Sequence, residues 1–203
     1  MTAPAGAQSP YSPQAPSRRT TADICAVADL GDEASALLNG AAAPPSPKDF
    51  IARLVAANLH IDAVRFLAHA LPRRECVWWA WVCARKVAGA EPPLPIKNAL
   101  DATERWIVQP TEEHRRAALT FGELADFGTP AGCAALAAFM TGGSLGPPEA
   151  PVIPPGEFMT AKAVSGSVTL SAVAKEPDLA PEKFAEFLTL GLEVADRTKL
   201  WAA

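Results

Sequence analysis

The apolar positions of this chain recur at three- and four-residue spacings in short runs, separated by proline- and glycine-rich breaks. That is the pattern of successive amphipathic helices. One run departs from it. Cys76-Val77-Trp78-Trp79-Ala80-Trp81-Val82-Cys83-Ala84, held between Arg73-Arg74-Glu75 and Arg85-Lys86, is apolar around its whole circumference. Such a helix must be covered on every side, and it is too short for a bilayer, which takes roughly 20 apolar residues. It predicts the central helix of an all-helical core, with its tryptophans packed inside.

The other elements follow from their ends. Thr20 or Thr21 offers an N-cap for a short helix carrying Ile24, Val27 and Ala28. Leu37-Leu38 is a loose apolar pair before the break at Ala43-Pro44-Pro45. Ser46-Pro47-Lys48-Asp49 combines a capping serine, a first-turn proline and an acid, and Phe50, Ile51, Leu54 and Val55 form the next stripe. After a break near Asn58-Leu59-His60 comes a stripe of Ile61, Val64, Leu67, Ala68 and Leu71, and Pro72 opens the tryptophan helix. Beyond the loop Glu91 to Pro95, the positions Ile96, Ala99, Leu100, Thr103, Trp106 and Ile107 repeat at helical spacing. Pro110 restarts the chain ahead of Ala117, Ala118, Phe121, Leu124 and Ala125. Thr129-Pro130 starts a helix with Cys133, Leu136, Ala137 and Met140 inward, and Gly142-Gly143 stops it.

Val164, Gly166, Val168, Leu170 and Ala172 alternate like a strand, yet Val164, Val168 and Ala172 also fit a helix. A lone strand has nothing to pair with, so 161–173 is predicted helical. Asp178 to Pro181 begins a last helix with Phe184, Phe187, Leu188, Gly191, Leu192 and Ala195, ending near Leu200-Trp201.

The fold expected is therefore all-α: irregular stacked helical hairpins, HEAT-like or an orthogonal bundle, in a single domain. Residues 1–18, made of Ala, Pro, Ser, Gln and Gly with one Tyr, are expected to be a disordered arm. Residues 19–144 form the main helical domain, 145–156 a Pro/Gly-rich, semi-rigid connector, and 157–203 C-terminal helices that pack back on it. Pro72 and Pro110 each open a helix and lie 38 residues apart, near the period of two-helix repeats, but the two units share little side-chain identity.

Composition sharpens this only in part. With 49% hydrophobic and 20% charged residues, the chain of 203 has material for a packed core. A net charge of -4 lacks the positive footprint of non-specific nucleic-acid binding. Cys76 and Cys83 are about 10 Å apart along one helix axis, beyond disulfide reach, and no CxxC pair exists. Cys25, Cys76, Cys83 and Cys133 read as free thiols in a reducing compartment. Arg18-Arg19 precedes no apolar run of signal-peptide type, so a cytoplasmic location is expected, with no membrane and no nucleic-acid partner.

Candidate chemistry is sparse. No metal-site spacing, nucleophile elbow, phosphate loop or dinucleotide fingerprint occurs, and no catalytic residue, cofactor or metal is expected. Gly142-Gly143-Ser144 follows a helix and enters a proline tract, the wrong context for phosphate. His114, among Glu112, Glu113, Arg115 and Arg116, reads as part of a solvated charged turn; His60 sits at a helix boundary, and His69 is packed or partly exposed. Arg73 and Arg74 oppose the helix dipole, so a specific contact must favour them. They could pair with a carboxylate such as Glu104 or Asp101, or grip an acidic partner by forked hydrogen bonds. Trp201, near the chain end, is the tryptophan most available to a partner. Arg73, Arg74 and Trp201 are thus the candidate partner-binding residues.

The segments Leu71 to Ala80, Ala102 to Trp106, Pro110 to Arg116 and Gly142 to Pro148 resemble an uncharacterised bacterial all-helical family of unknown function. The resemblance covers most of residues 46–175, and its most specific part is the Arg-Arg-Glu-x-x-Trp-Trp core at residues 73–79. It implies association with type VI secretion gene clusters and transfers no catalytic residue. The function expected is a non-enzymatic, protein-binding accessory factor, adaptor or chaperone-like, for loading a secreted effector or spike component. An immunity-type or regulatory inhibitor is the alternative. An unrecognised enzyme is the third reading; it requires a pocket that joins His69 or His114 to carboxylates such as Glu104 or Glu113.

Overall fold

Short polar side chains start four of the ten α-helices described. In the computed structural model, which describes residues 19–41 and 43–201, Thr20 and Asp23 close a reciprocal capping box on α1 (Thr21–Cys25). The arm expected over 1–18 lies outside the described residues. Ser46 accepts from the Asp49 amide at 3.1 Å to start α3 (Pro47–Ala56). Thr111 does the same for α7 (Glu112–Leu124), and Thr129 for α8 (Pro130–Phe139).

Between and after these run α2 (Asp32–Asn39), α4 (His60–Ala70), α5 (Arg73–Ala88), α6 (Leu94–Val108), α9 (Met159–Val173) and α10 (Ala180–Arg197), with a 3-10 turn at Pro177–Leu179. No strand occurs among the described residues, and the ambiguous segment around Val164 is the helix α9, with Val164, Val168 and Ala172 fully buried. Leu37 and Leu38 belong to α2, a helix the sequence pattern did not announce. Its N-cap is Gly31, which has no side chain to accept a hydrogen bond, and Ala34 is its only buried residue.

The tryptophan helix α5 lies in the middle of the assembly, in contact with α6, α8, α9 and α10. Cys76, Val77, Trp79, Ala80, Cys83 and Ala84 are buried, and Trp79 is fully enclosed. Its indole N–H donates to the Phe187 carbonyl at 2.7 Å, which satisfies the one polar atom that so large a buried ring carries. Trp106 is likewise core.

The covering of α5 is not complete, however. Trp78, Trp81 and Val82 are half-buried. Trp81 donates to the Leu100 carbonyl at 3.0 Å, and the Arg197 guanidinium lies 5.6 Å from the Trp78 ring centroid. These two indoles form the rim of the core, with an apolar body turned inward and a polar neighbour outside.

Helix α10 closes the core through Phe184, Phe187, Leu188, Gly191, Val194 and Ala195. Gly191 is where it comes nearest: a Cβ there would stand 2.6 Å from Leu67 Cδ2 and 2.7 Å from Trp79 Cε2. Of the stripe expected on α4, Ile61 points outward instead and is 46% exposed. On α7 the buried face is Arg115, Ala118 and Gly122, rotated from the expected stripe, and Leu124 is exposed.

All four cysteines are free. Burial pushes the Cys25 and Cys133 thiols up to about 11, and those of Cys76 and Cys83 higher still. Among the described residues no helix is long and apolar enough to cross a membrane.

Candidate functional site

An α-helix leaves its last four carbonyls without intrahelical partners. At the end of α8 the last helical carbonyl, Phe139, and those of the C-cap Met140 and of Thr141 are taken up by side chains from three different helices. Arg115 of α7 donates to the Phe139 carbonyl at 2.6 Å, Thr160 of α9 to that of Met140 at 2.9 Å, and Arg73 of α5 to that of Thr141 at 2.9 Å. Cations at a helix C-terminus also complement its dipole.

Arg115 is fully buried, an uncommon state for an arginine, and its contacts account for it. Its Nε and Nη2 meet the two carboxylate oxygens of Glu112, each at 2.7 Å, in a forked pair. Its guanidinium carbon stands 4.2 Å from the Phe139 ring centroid. Nη2 reaches on to the Ser144 carbonyl at 2.9 Å. Gly143 makes this possible: its φ is +67°, and a Cβ there would come within 2.8 Å of both Arg115 Nη2 and Glu112 Oε2.

The chain that leaves this anchor is a closed loop. The Leu145 amide donates to the Ile153 carbonyl at 2.8 Å, and the Ser144 hydroxyl accepts from the amides of Gly146 and Ile153. Arg116, one residue beyond the buried arginine, bonds Glu112 at 2.7 Å and reaches the Gly146 carbonyl at 3.0 Å. A ten-residue loop, 144–153, with its ends in contact is of the Ω type. Its outer face carries Leu145, Val152 and Ile153, which are 40%, 75% and 57% exposed.

The candidate residues divide. Arg73 is at this anchor, with a second, longer bond from Nη2 to the Glu157 carbonyl. Arg74 clamps another helix end, donating from Nε to the Ile107 carbonyl of α6 at 2.7 Å. Both arginines therefore take backbone carbonyls, not Glu104 or Asp101, which answers why cations sit in the first turn of α5. Trp201 is not among their partners; it is half-buried against the core, with an indole nitrogen enclosed and unpartnered.

The turn read as solvated is half correct. His114 is partly exposed, its Nδ1 2.8 Å from the Gln109 carbonyl, but its neighbour Arg115 is the most deeply buried charge described. The available signal was position: Arg115 precedes Ala118 and Gly122 by three and seven residues, on the buried face.

His114 also shares a shallow groove of about 340 Å³ with Asp101, Glu104, Arg105, Val108 and Gln109, the pairing with Glu104 that the enzyme reading requires. No serine, threonine or cysteine lines it. Among the described residues no three His, Cys, Asp or Glu side chains are grouped to hold a metal.

A family model described as "Family of unknown function (DUF6931)" matches residues 50–195, well over half of the chain. The chain belongs to this family. The DUF6931 match runs from the first buried residue of α3, Phe50, to the last buried residue of α10, Ala195, and so includes the whole arginine anchor and its loop. It extends beyond the span of 46–175 read from the sequence, to take in the closing helix. No curated protein and no solved structure matches the chain.

Proposed function

We propose that this protein is a non-enzymatic accessory factor that binds another protein, in the manner of an adaptor or chaperone, and that the loop 144–153 is its docking element. One observation carries this: three exposed aliphatic side chains stand on a loop whose backbone is already fixed by Arg115, Arg116 and Ser144. Exposed apolar groups cost little to present when the loop beneath them is pre-ordered, since binding then loses less conformational entropy. Pro151-Val152-Ile153-Pro154-Pro155 is a proline-flanked segment outside any helix or strand, a composition that suits an apolar or aromatic-lined groove on the partner.

The sequence resemblance implies association with type VI secretion genes, and a secreted effector or spike component is therefore the partner class to test first. Cytoplasmic loading before export suits the free thiols. The tryptophans do not support the inhibitor alternative: Trp79 and Trp106 are core, and Trp78, Trp81 and Trp201 are half-buried.

The experiment is co-purification of the tagged chain with the products of its neighbouring genes, in wild type and in a Val152→Asp/Ile153→Asp double variant. A stable complex with wild type that the variant loses, at unchanged melting temperature, supports the reading. The absence of any partner across the cluster, or equal capture by the variant, refutes it.

A further inference from the structure

A second concavity, of about 460 Å³, lies between the segment after α1, helix α4 and helix α9. That volume is in the range of small-molecule sites. None of its lining residues belongs to the docking loop, so this groove is independent of the proposed function. Its charged lining groups are Asp29, Arg65 and Lys162, and Asp62 stands behind Arg65. Arg65 is held in place: Nη1 donates to the Asp29 carbonyl at 2.8 Å and lies 3.9 Å from Asp62. Lys162 is exposed and has no carboxylate partner among the described residues. Ile61 and Leu170 supply an apolar wall, and Ile61 is the α4 side chain that turns away from the core.

His69 also lines this groove and is only 6% exposed. Its Nδ1 is 2.8 Å from the Arg65 carbonyl. A carbonyl oxygen can only accept, so Nδ1 carries the ring proton, and in the neutral ring Nε2 holds a bare lone pair. Nε2 is enclosed and has no hydrogen-bond partner. A buried polar atom left unpaired costs free energy, and a site for an absent ligand is one reason for a fold to keep it.

We propose that this groove binds a small monocarboxylate carried on a short hydrocarbon chain, its carboxylate at Lys162 and its chain along Ile61 and Leu170. Arg65 has Asp62 beside it, and Lys162 is the lining cation without a carboxylate partner among the described residues, which suits a monoanion. Burial foremost, and then Lys162 and Arg19, hold His69 below its ordinary value, while the Arg65 carbonyl and Asp29 act the other way. A carboxylate arriving at Lys162 offsets that lysine's charge and favours protonation of Nε2, so binding takes up a proton and tightens as pH falls.

The test is titration of the whole chain with sodium hexanoate between about pH 6 and 8, with hexan-1-ol and inorganic phosphate as comparators. Saturable hexanoate binding is expected, stronger at low pH by at most about tenfold per pH unit, the limit for one linked proton. Lys162→Met, at an exposed position, should weaken it by roughly tenfold or more, the loss of a charge-assisted contact. His69→Asn should keep the binding and remove its pH dependence; if that buried variant does not fold, the nitrogen-15 shift of the His69 ring on titration gives the same information. No saturable binding, equal binding of hexanol or of phosphate, or an unchanged affinity in Lys162→Met overturns the site. A pH-independent affinity in wild type overturns the role of His69.

Discussion

Replacing Arg115 by Met tests the anchor most directly. Met retains most of the side-chain length and its packing on Phe139, so the change isolates the guanidinium. Glu112 is 46% exposed and keeps its bond to Arg116 when Arg115 is replaced, so its carboxylate adds little to the cost. The Phe139 carbonyl is different. Its bond to Arg115 is buried, and no other donor to it is seen among the described residues. An orphaned buried acceptor costs about 1–3 kcal/mol, and breaking one side of a buried charged network costs about 3–5 kcal/mol. The half-exposed carboxylate puts Arg115→Met toward the lower end, at about 3 kcal/mol, or roughly 6–12 °C in melting temperature for a chain of this size.

The assay is urea unfolding combined with amide hydrogen exchange. The amides of Leu145, Gly146 and Ile153, which close the loop, should lose protection together. Arg116→Met is the control: its side chain is 28% exposed, so it should loosen the same amides while costing below about 1 kcal/mol. If Arg115→Met lies within about 1 kcal/mol of wild type and the loop amides stay protected, the guanidinium does not hold the loop and the anchor is misread.

Three further outcomes rest on the packing. Gly191→Ala forces a methyl against Leu67 and Trp79 and should destabilise by about 1–3 kcal/mol, with a shift in Trp79 fluorescence; a neutral result means that α10 does not approach so closely. Thiol titration of the folded protein at pH 8 should find Cys25 the first to react, because it is the least buried of the four, and full reaction of Cys76 and Cys83 only after unfolding. A neutral, buried His69 is protonated more readily in the unfolded chain, so its contribution to stability is complete above about pH 6.5 and declines as pH falls below it. His69→Gln should flatten this part of the pH–stability curve measured by urea unfolding, and an unchanged slope would assign the acid sensitivity elsewhere.

Those elements whose information is local could be read from the sequence. Ser46-Pro47 and Thr129-Pro130 each carry their own N-cap, and their helices start where expected. Helix α2 escaped because a glycine cap leaves no chemical mark and its apolar content is small. The arginine partners were unreadable for a different reason. Arg73 and Arg74 bond carbonyls 68 and 33 residues away, and every residue has a carbonyl, so no residue type could flag the acceptor. Looking for carboxylates led to Glu104 and Asp101, because side-chain chemistry is the only partner a sequence displays. The loop 144–153 was legible as proline-rich, but its closure depends on Ser144 and two arginines from α7, brought there by tertiary packing.

The 2.8 Å contact between Leu145 and Ile153 makes the intervening residues a detachable module. Helices α8 and α9 pack directly on each other, and the anchor's bonds fall on Ser144 and before it or on Glu157 and after it, so the tip can be cut, lengthened or exchanged without moving the helices that flank it. A protease nick within 147–151 should leave two fragments that remain associated and elute as one. On the proposed docking role, exchanging the tip alone would change what the protein binds while the helices stay as they are.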